Sequence, residues 1–168
     1  LGLTEATINQ DEVVTGGLTS INVGVAGRLT LNESSTLEMT PLLSTSEDAA
    51  TLPAAQFQFL QDPATLFADY RRGGEALTIA ARFSGPLTSA WPDGSPLESA
   101  DAQNHLTSSE SANIIVVADV DILSDRLWVQ VQNFLGQQLL SAFASNGDFL
   151  INALDNLSGS AELIGLRS

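Results

Sequence analysis

The chain has 168 residues, 43% apolar and 15% charged, enough for one domain with a real core and too few for two comfortable ones. It contains no cysteine, which excludes a disulfide framework, a thiolate metal site and a cysteine nucleophile. Twenty acidic residues face six arginines and no lysine, a formal net charge of −14. Such a surface repels phosphate backbones and anionic headgroups, so neither nucleic acid nor a membrane surface is an expected partner; the simplest use of the acidity is solubility.

Leu1-Gly2-Leu3 is followed at once by polar residues, so no targeting segment is expected at the start, and no apolar stretch approaches a membrane span. Without an initiator methionine the chain reads as a piece of something longer. Residues 4–18 read as a short helix or turn with Thr4 as N-cap, then a loop ended by glycine. Residues 20–32 alternate Ile21, Val23 and Val25 with small residues, a strand weakened by Gly24 and Gly27. Residues 37–44 are extended, with Pro41 placing them at an edge or a bulge. Asp62-Pro63 opens a predicted helix in QDPATLFADYRR, where Leu66, Phe67 and Tyr70 share a face, Arg71-Arg72 complement the C-terminus and Gly73-Gly74 stop it.

Residues 75–85 form a predicted strand with Leu77, Ile79, Ala81 and Phe83 on one face. Residues 86–112 lack periodicity and read as a long mobile surface loop; it holds His105, read as solvated, and the turn Trp91-Pro92-Asp93-Gly94, whose aromatic is read as packing. The run NIIVVAD (113–119) is apolar on both faces, the pattern of an interior strand covered on each side by helices. Residues 127–145 fit either a helix or a hairpin turning near Gly136. Asn146-Gly147-Asp148 opens a helix over 147–157 with Phe149, Ala153, Leu154 and Leu157 inward and Ser158-Gly159 at its end. Strands mixed with helices, one strand being two-faced, give a layered α/β domain over residues 1–168, whole or partial.

In open α/β sheets the ligand crevice lies beyond the carboxyl ends of the strands, where Asp119, Asp121 and Asp125 fall. A calcium loop of the EF-hand type counted from Asp119 needs glycine at its sixth position and glutamate at its twelfth; Ser124 and Gln130 stand there. An aspartyl-nucleophile phosphatase needs fixed positive charge, generally a lysine, at the transferred group. A nucleotide-sugar transferase also carries D-x-D at a strand end, holding Mn²⁺ or Mg²⁺ against a diphosphate, but no glycine-rich nucleotide loop precedes it here. The simpler role is structural: an aspartate at a strand end accepts backbone N–H bonds and fixes the turn, and Arg126 is close enough to pair with a carboxylate. No metal site and no cofactor are expected.

The stretches IIVVADVDILSDRLWVQVQNFLGQ and ASNGDFLINALDNLSGSAELIGLRS, with VVTGGLTSINV and IAARFSGP, resemble the extracytoplasmic domain of gliding-motility-type ABC transporter auxiliary proteins. That resemblance implies a flavodoxin-like domain, similar to the class I glutamine amidotransferase fold. It also implies a parent protein anchored at the periplasmic face of the bacterial inner membrane, beside an ABC permease and its ATPase. The amidotransferase relatives use a cysteine nucleophile, which is absent here, so no catalysis carries over. Asp119, Asp121, Asn146, Asp148 and Asn152 then belong to a shared turn-and-helix signature. Two functions follow: a non-catalytic module that binds a partner or a transported substrate, or a metal-dependent transferase-like enzyme using Asp119 and Asp121. The poverty of catalytic groups favours the binding module. An uncovered sheet edge would also let two copies associate.

Overall fold

The computed structural model describes residues 1–58, 62–68, 70–96, 105–134 and 136–159. In chain order the strands are β1 (Gly2–Thr4), β2 (Ser20–Asn22), β3 (Glu38–Ser44), β4 (Thr78–Thr88), β5 (Ser108–Val117), β6 (Val129–Phe134) and β7 (Gln137–Ala142); the helices are α1 (Ala55–Gln58) and α2 (Asn146–Leu157). Among the described residues they build three small sheets, β1-β2, β3-β4-β5 and β6-β7, and every strand pair is antiparallel. The chain is therefore mixed α/β. A flavodoxin-like or amidotransferase-like layering calls for parallel strands joined by crossover helices, which the described residues do not form.

The core follows from the apolar patterns. Leu42 and Leu43 of β3 and Ile79 and Ala80 of β4 are buried together with Ile21, Val23 and Ile122, and α2 adds Phe149 and Ala153. Beside this core a semi-buried ion pair joins two distant segments: Arg82, in the middle of β4, holds Glu12 through Nη2–Oε1 at 2.8 Å and Nε–Oε2 at 3.2 Å. After β2 the chain leaves the ladder and crosses the sheet end as a strap. Gly27 N–H donates to the Ala118 carbonyl at 2.7 Å and Leu29 N–H to the Thr78 carbonyl at 2.8 Å.

Several expectations need correction. The run 113–118 is not interior among the described residues: β5 is there the outer strand of its sheet, β4 is the central one, and Ile114 and Val116 are each 37% exposed. Only one side of β5, that of Ile115 and Val117, packs on the core. The stretch 86–112 is not all loop, because β4 runs on to Thr88 and β5 begins at Ser108. Residues 97–104 lie outside the described residues. The strand expected over 20–32 stops at Asn22: Val23 N–H still donates to the Leu1 carbonyl beside β1 at 2.9 Å, but Gly24 N–H turns to the Asp119 carboxylate and Gly27 N–H to the Ala118 carbonyl.

Near the first glycine-ended loop, the predicted Thr4 cap becomes a 3-10 turn over Glu5–Thr7, closed by the Thr7 hydroxyl on the Thr4 N–H and carbonyl, both at 3.1 Å. Asp62 caps as expected, its Oδ1 accepting from Ala64 N–H at 2.9 Å, but only a 3-10 turn, Pro63–Phe67, follows. Phe67 is 73% exposed, so that face finds nothing to pack on, and helices in water draw most of their stability from such packing. Arg72 accordingly pairs with Glu47 at 3.2 Å and Asp48 at 2.8 Å rather than with a helix end. Trp91 is exposed, not packed, and its carbonyl meets His105 Nε2 at 2.8 Å across the β4–β5 connection.

Residues 127–145 take the hairpin alternative, β6-β7, with Gly136 in the turn at φ +81°. Pro41 sits on an edge strand beside register shifts in the β3-β4 ladder, as its missing N–H demands. Helix α2 matches the predicted span, but its inward face is Asn146, Phe149, Asn152 and Ala153, while Leu154 and Leu157 are 56% and 45% exposed.

The Trp128 ring packs against the first turn of α2 at Gly147. A methyl group at Gly147 would come within 2.7 Å of Trp128 Cζ3 and 2.8 Å of Cη2. A glycine-to-alanine change inside a helix ordinarily stabilises by up to about 1 kcal/mol. Gly147→Ala should instead destabilise by about 1–3 kcal/mol through overpacking. Thermal unfolding followed by circular dichroism reads the sign directly, and a stabilised variant would contradict this contact.

Candidate functional site

The three aspartates follow β5, whose exit is fixed by the Ala118 N–H bond to the Ile79 carbonyl at 2.9 Å. Asp119 is 6% exposed, and both of its oxygens are engaged by backbone. Oδ2 accepts from Gly24 N–H at 2.6 Å and Oδ1 from Asp121 N–H at 2.8 Å. The carboxylate thus turns the chain after β5 and ties that turn to the strap. Asp121 closes the turn through its carbonyl, which accepts from Ser124 N–H at 2.7 Å, while its side chain pairs with Arg126 at 3.0 Å. That ion pair is well exposed and contributes little to stability. Asp125 opens a 3-10 turn, Asp125–Leu127, and its carbonyl accepts from Trp128 N–H at 3.0 Å.

Asn146 holds the end of β2, just before the strap. It is fully buried; its Oδ1 accepts from Asn22 N–H at 3.1 Å, and its Nδ2 donates to the Asn22 and Ile122 carbonyls, both at 2.7 Å. One amide side chain so imitates a strand partner for Asn22 and clamps the aspartate turn to β2. Asn22 answers by donating its own Nδ2 to the Leu127 carbonyl at 2.8 Å. Asn152, one and a half turns along α2, lies elsewhere and donates to the Val14 carbonyl at 3.1 Å. Asp148 is exposed in the first turn of α2, where a negative charge complements the helix dipole. Of the six candidate residues, Asp119, Asp121 and Asn146 meet around residues 22–24 and 119–122; Asp125, Asp148 and Asn152 do not join them.

Sequence reasoning missed Asn22 and Gly24, the recipients of this network. Neither carries a local signal, because their partners lie 124 and 95 residues away along the chain. Among the described residues no three His, Cys, Asp or Glu side chains converge on a point where a metal could sit.

The strap that Asp119 holds also forms one wall of a cleft of about 470 Å³. The cleft lining includes Gly24–Gly27, Leu52, Phe57, Leu77 and Ile79, with Leu1, whose amino group donates to the Val23 carbonyl at 2.9 Å, and no lining side chain is ionisable. Thr45 supplies a hydroxyl at the wall, already engaged with the Ser46 carbonyl at 2.9 Å and the Leu77 N–H at 2.9 Å. The arrangement suits an uncharged, largely apolar ligand or side chain rather than a phosphate or a cation.

Among the described residues no helix is long and apolar enough to cross a membrane. Searches of curated proteins and of solved structures gave no match. A family model described as an ABC-type uncharacterized transport system, auxiliary component, matches residues 1–153, and the chain belongs to that family.

Proposed function

We propose that this chain is a non-catalytic, extracytoplasmic module of its transport system that acts by binding a partner or the transported substrate. The observation that carries this is the engagement of Asp119. A transferase-like enzyme needs Asp119 and Asp121 open toward a cation and a diphosphate, yet Asp119 accepts two backbone N–H bonds at 2.6 and 2.8 Å and Asp121 pairs with Arg126. The same strap lines the cleft, whose side chains are all non-ionisable and which we assign as the binding site. The resemblance to gliding-motility-type auxiliary proteins supports a setting at the periplasmic face of a bacterial inner membrane, next to a permease and its ATPase. Flavodoxin-like layering is not needed for such binding.

The absence of native cysteine makes single-cysteine probes unambiguous. In intact spheroplasts making the protein with its transport system, Val120→Cys, fully exposed at the aspartate turn, should label with a membrane-impermeant maleimide. Labelling only after lysis would overturn the extracytoplasmic placement. A photo-crosslinking residue at Leu52, on the cleft rim, should capture the permease or another system component. Capture from Leu140 on the β6-β7 hairpin but not from Leu52 would move the binding face away from the cleft.

A further inference from the structure

The outer edge of β5 spans Ser108–Val117, and among the described residues no strand pairs with it. Long edge strands are normally blunted by lysine, proline, inward charge or a covering element, because their free N–H and C=O groups invite another strand. The stretch Ser111–Val117 carries no lysine, proline or charge, reading SANIIVV with Glu110 as the nearest charge, and among the described residues no strand covers its outer edge. On a chain of net charge −14 this is an uncharged strip. A basic partner would gain nothing at its centre. The fitting occupant is an uncharged extended segment that is apolar on both faces, and the chain supplies one in this same strand.

We propose that two copies pair antiparallel through their β5 edges about a two-fold axis at Ile114, joining two three-stranded sheets into one of six strands. Directly opposed residues must lie on the same face of the joined sheet, so the axis passes through a residue rather than between two. Centred on Ile114, the axis sets Ile114 against its own copy, Ala112 against Val116, and Glu110 against Ala118, so the strand's one charge never meets itself. The exposed row of Ile114 and Val116, left open on the face away from the core, becomes continuous across the pair. On the other face Asn156 Oδ1 accepts from Asn113 Nδ2 at 3.2 Å, which brings the last turn of α2, with exposed Leu154 and Leu157, over the same axis. The pairing rests on sheet topology and is independent of the transport reading.

Sedimentation of the chain over a dilution series should give twice 17.7 kDa at the upper concentrations. Self-association should tighten as salt rises, since screening relieves repulsion between two strongly acidic bodies. Opposed residues in an antiparallel pair have Cα atoms about 4.5–5.5 Å apart, inside disulfide range, so Ile114→Cys should cross-link to its copy on mild oxidation. Val116→Cys sits four residues from its own copy along the strand, about 14 Å, and should not. Ile114→Lys should give a monomer with an unchanged circular dichroism spectrum; Ala112→Lys, in the same row, serves if the first variant misfolds. A monomer at every concentration and salt, or a dimer in which Val116→Cys cross-links as readily as Ile114→Cys, would overturn the pairing.

Discussion

Replacing Asn146 by alanine should cost about 3–5 kcal/mol and lower the unfolding temperature by roughly 6–20 °C, because a buried unsatisfied group costs about 1–3 kcal/mol and each kcal/mol moves a chain of this size by about 2–4 °C. The side chain is fully buried and makes three hydrogen bonds, so its loss strands the Asn22 N–H and the Asn22 and Ile122 carbonyls inside the core. Water cannot easily replace the amide there, since the chain neighbours Ile21, Val23 and Phe149, and Ile122 itself, belong to the buried core. Asn146→Asp is a sharper probe. It preserves shape but turns a donor that faces two carbonyls into an acceptor, and it should destabilise at least as much as alanine. Asp148→Ala, two residues on but exposed, should change stability by no more than about 1 kcal/mol, the size of a favourable helix-dipole charge. Calorimetric unfolding of the three variants checks the ordering.

Asp119→Asn is expected to cost about 2–4 kcal/mol, with hydrogen bonds to charged groups contributing about 1.5–3 kcal/mol each. The amide keeps one oxygen for Gly24 or Asp121, but its NH₂ must then face the other backbone N–H, donor against donor. The loss should be the same in a chelator as in millimolar Mg²⁺ or Ca²⁺, because the partners are backbone groups. It should also loosen the strap: amide exchange at Gly24 and Gly27 should quicken relative to Ala80 in the centre of the sheet. A variant with wild-type stability would mean that the two short bonds do not hold the turn.

Much of the fold is legible in the residues. The extended runs at 37–44, 75–85 and 113–119, the Pro41 irregularity and the span of α2 all follow from local propensity and spacing. The layering does not. Apolar residues on both faces of NIIVVAD read as an interior strand, yet among the described residues β5 is an edge, half open on the side of Ile114 and Val116. Two-faced hydrophobicity reports what a strand can bury, not whether this chain alone covers it. The same ambiguity misled the reading of α2, where buried Asn146 and Asn152 take places that amphipathicity gives to Leu154 and Leu157. An asparagine becomes an inward residue only when specific carbonyls wait for it, and those belong to residues 14, 22 and 122. The position of Asp119 at a strand end was readable; its partner Gly24 was not, because no local pattern links a carboxylate to an amide 95 residues away.

The central claim is that Asp119 holds the strap by accepting two backbone bonds and is not open to a cation. Isothermal titration of the chain with Mg²⁺, Mn²⁺ and Ca²⁺, wild type beside Asp119→Asn and Asp121→Asn, tests it most directly. The expected result is no saturable binding at micromolar strength in any of the three proteins, while Asp119→Asn unfolds at a lower temperature. Micromolar binding in the wild type that disappears in either variant would contradict the claim and restore a metal-dependent enzyme built on Asp119 and Asp121.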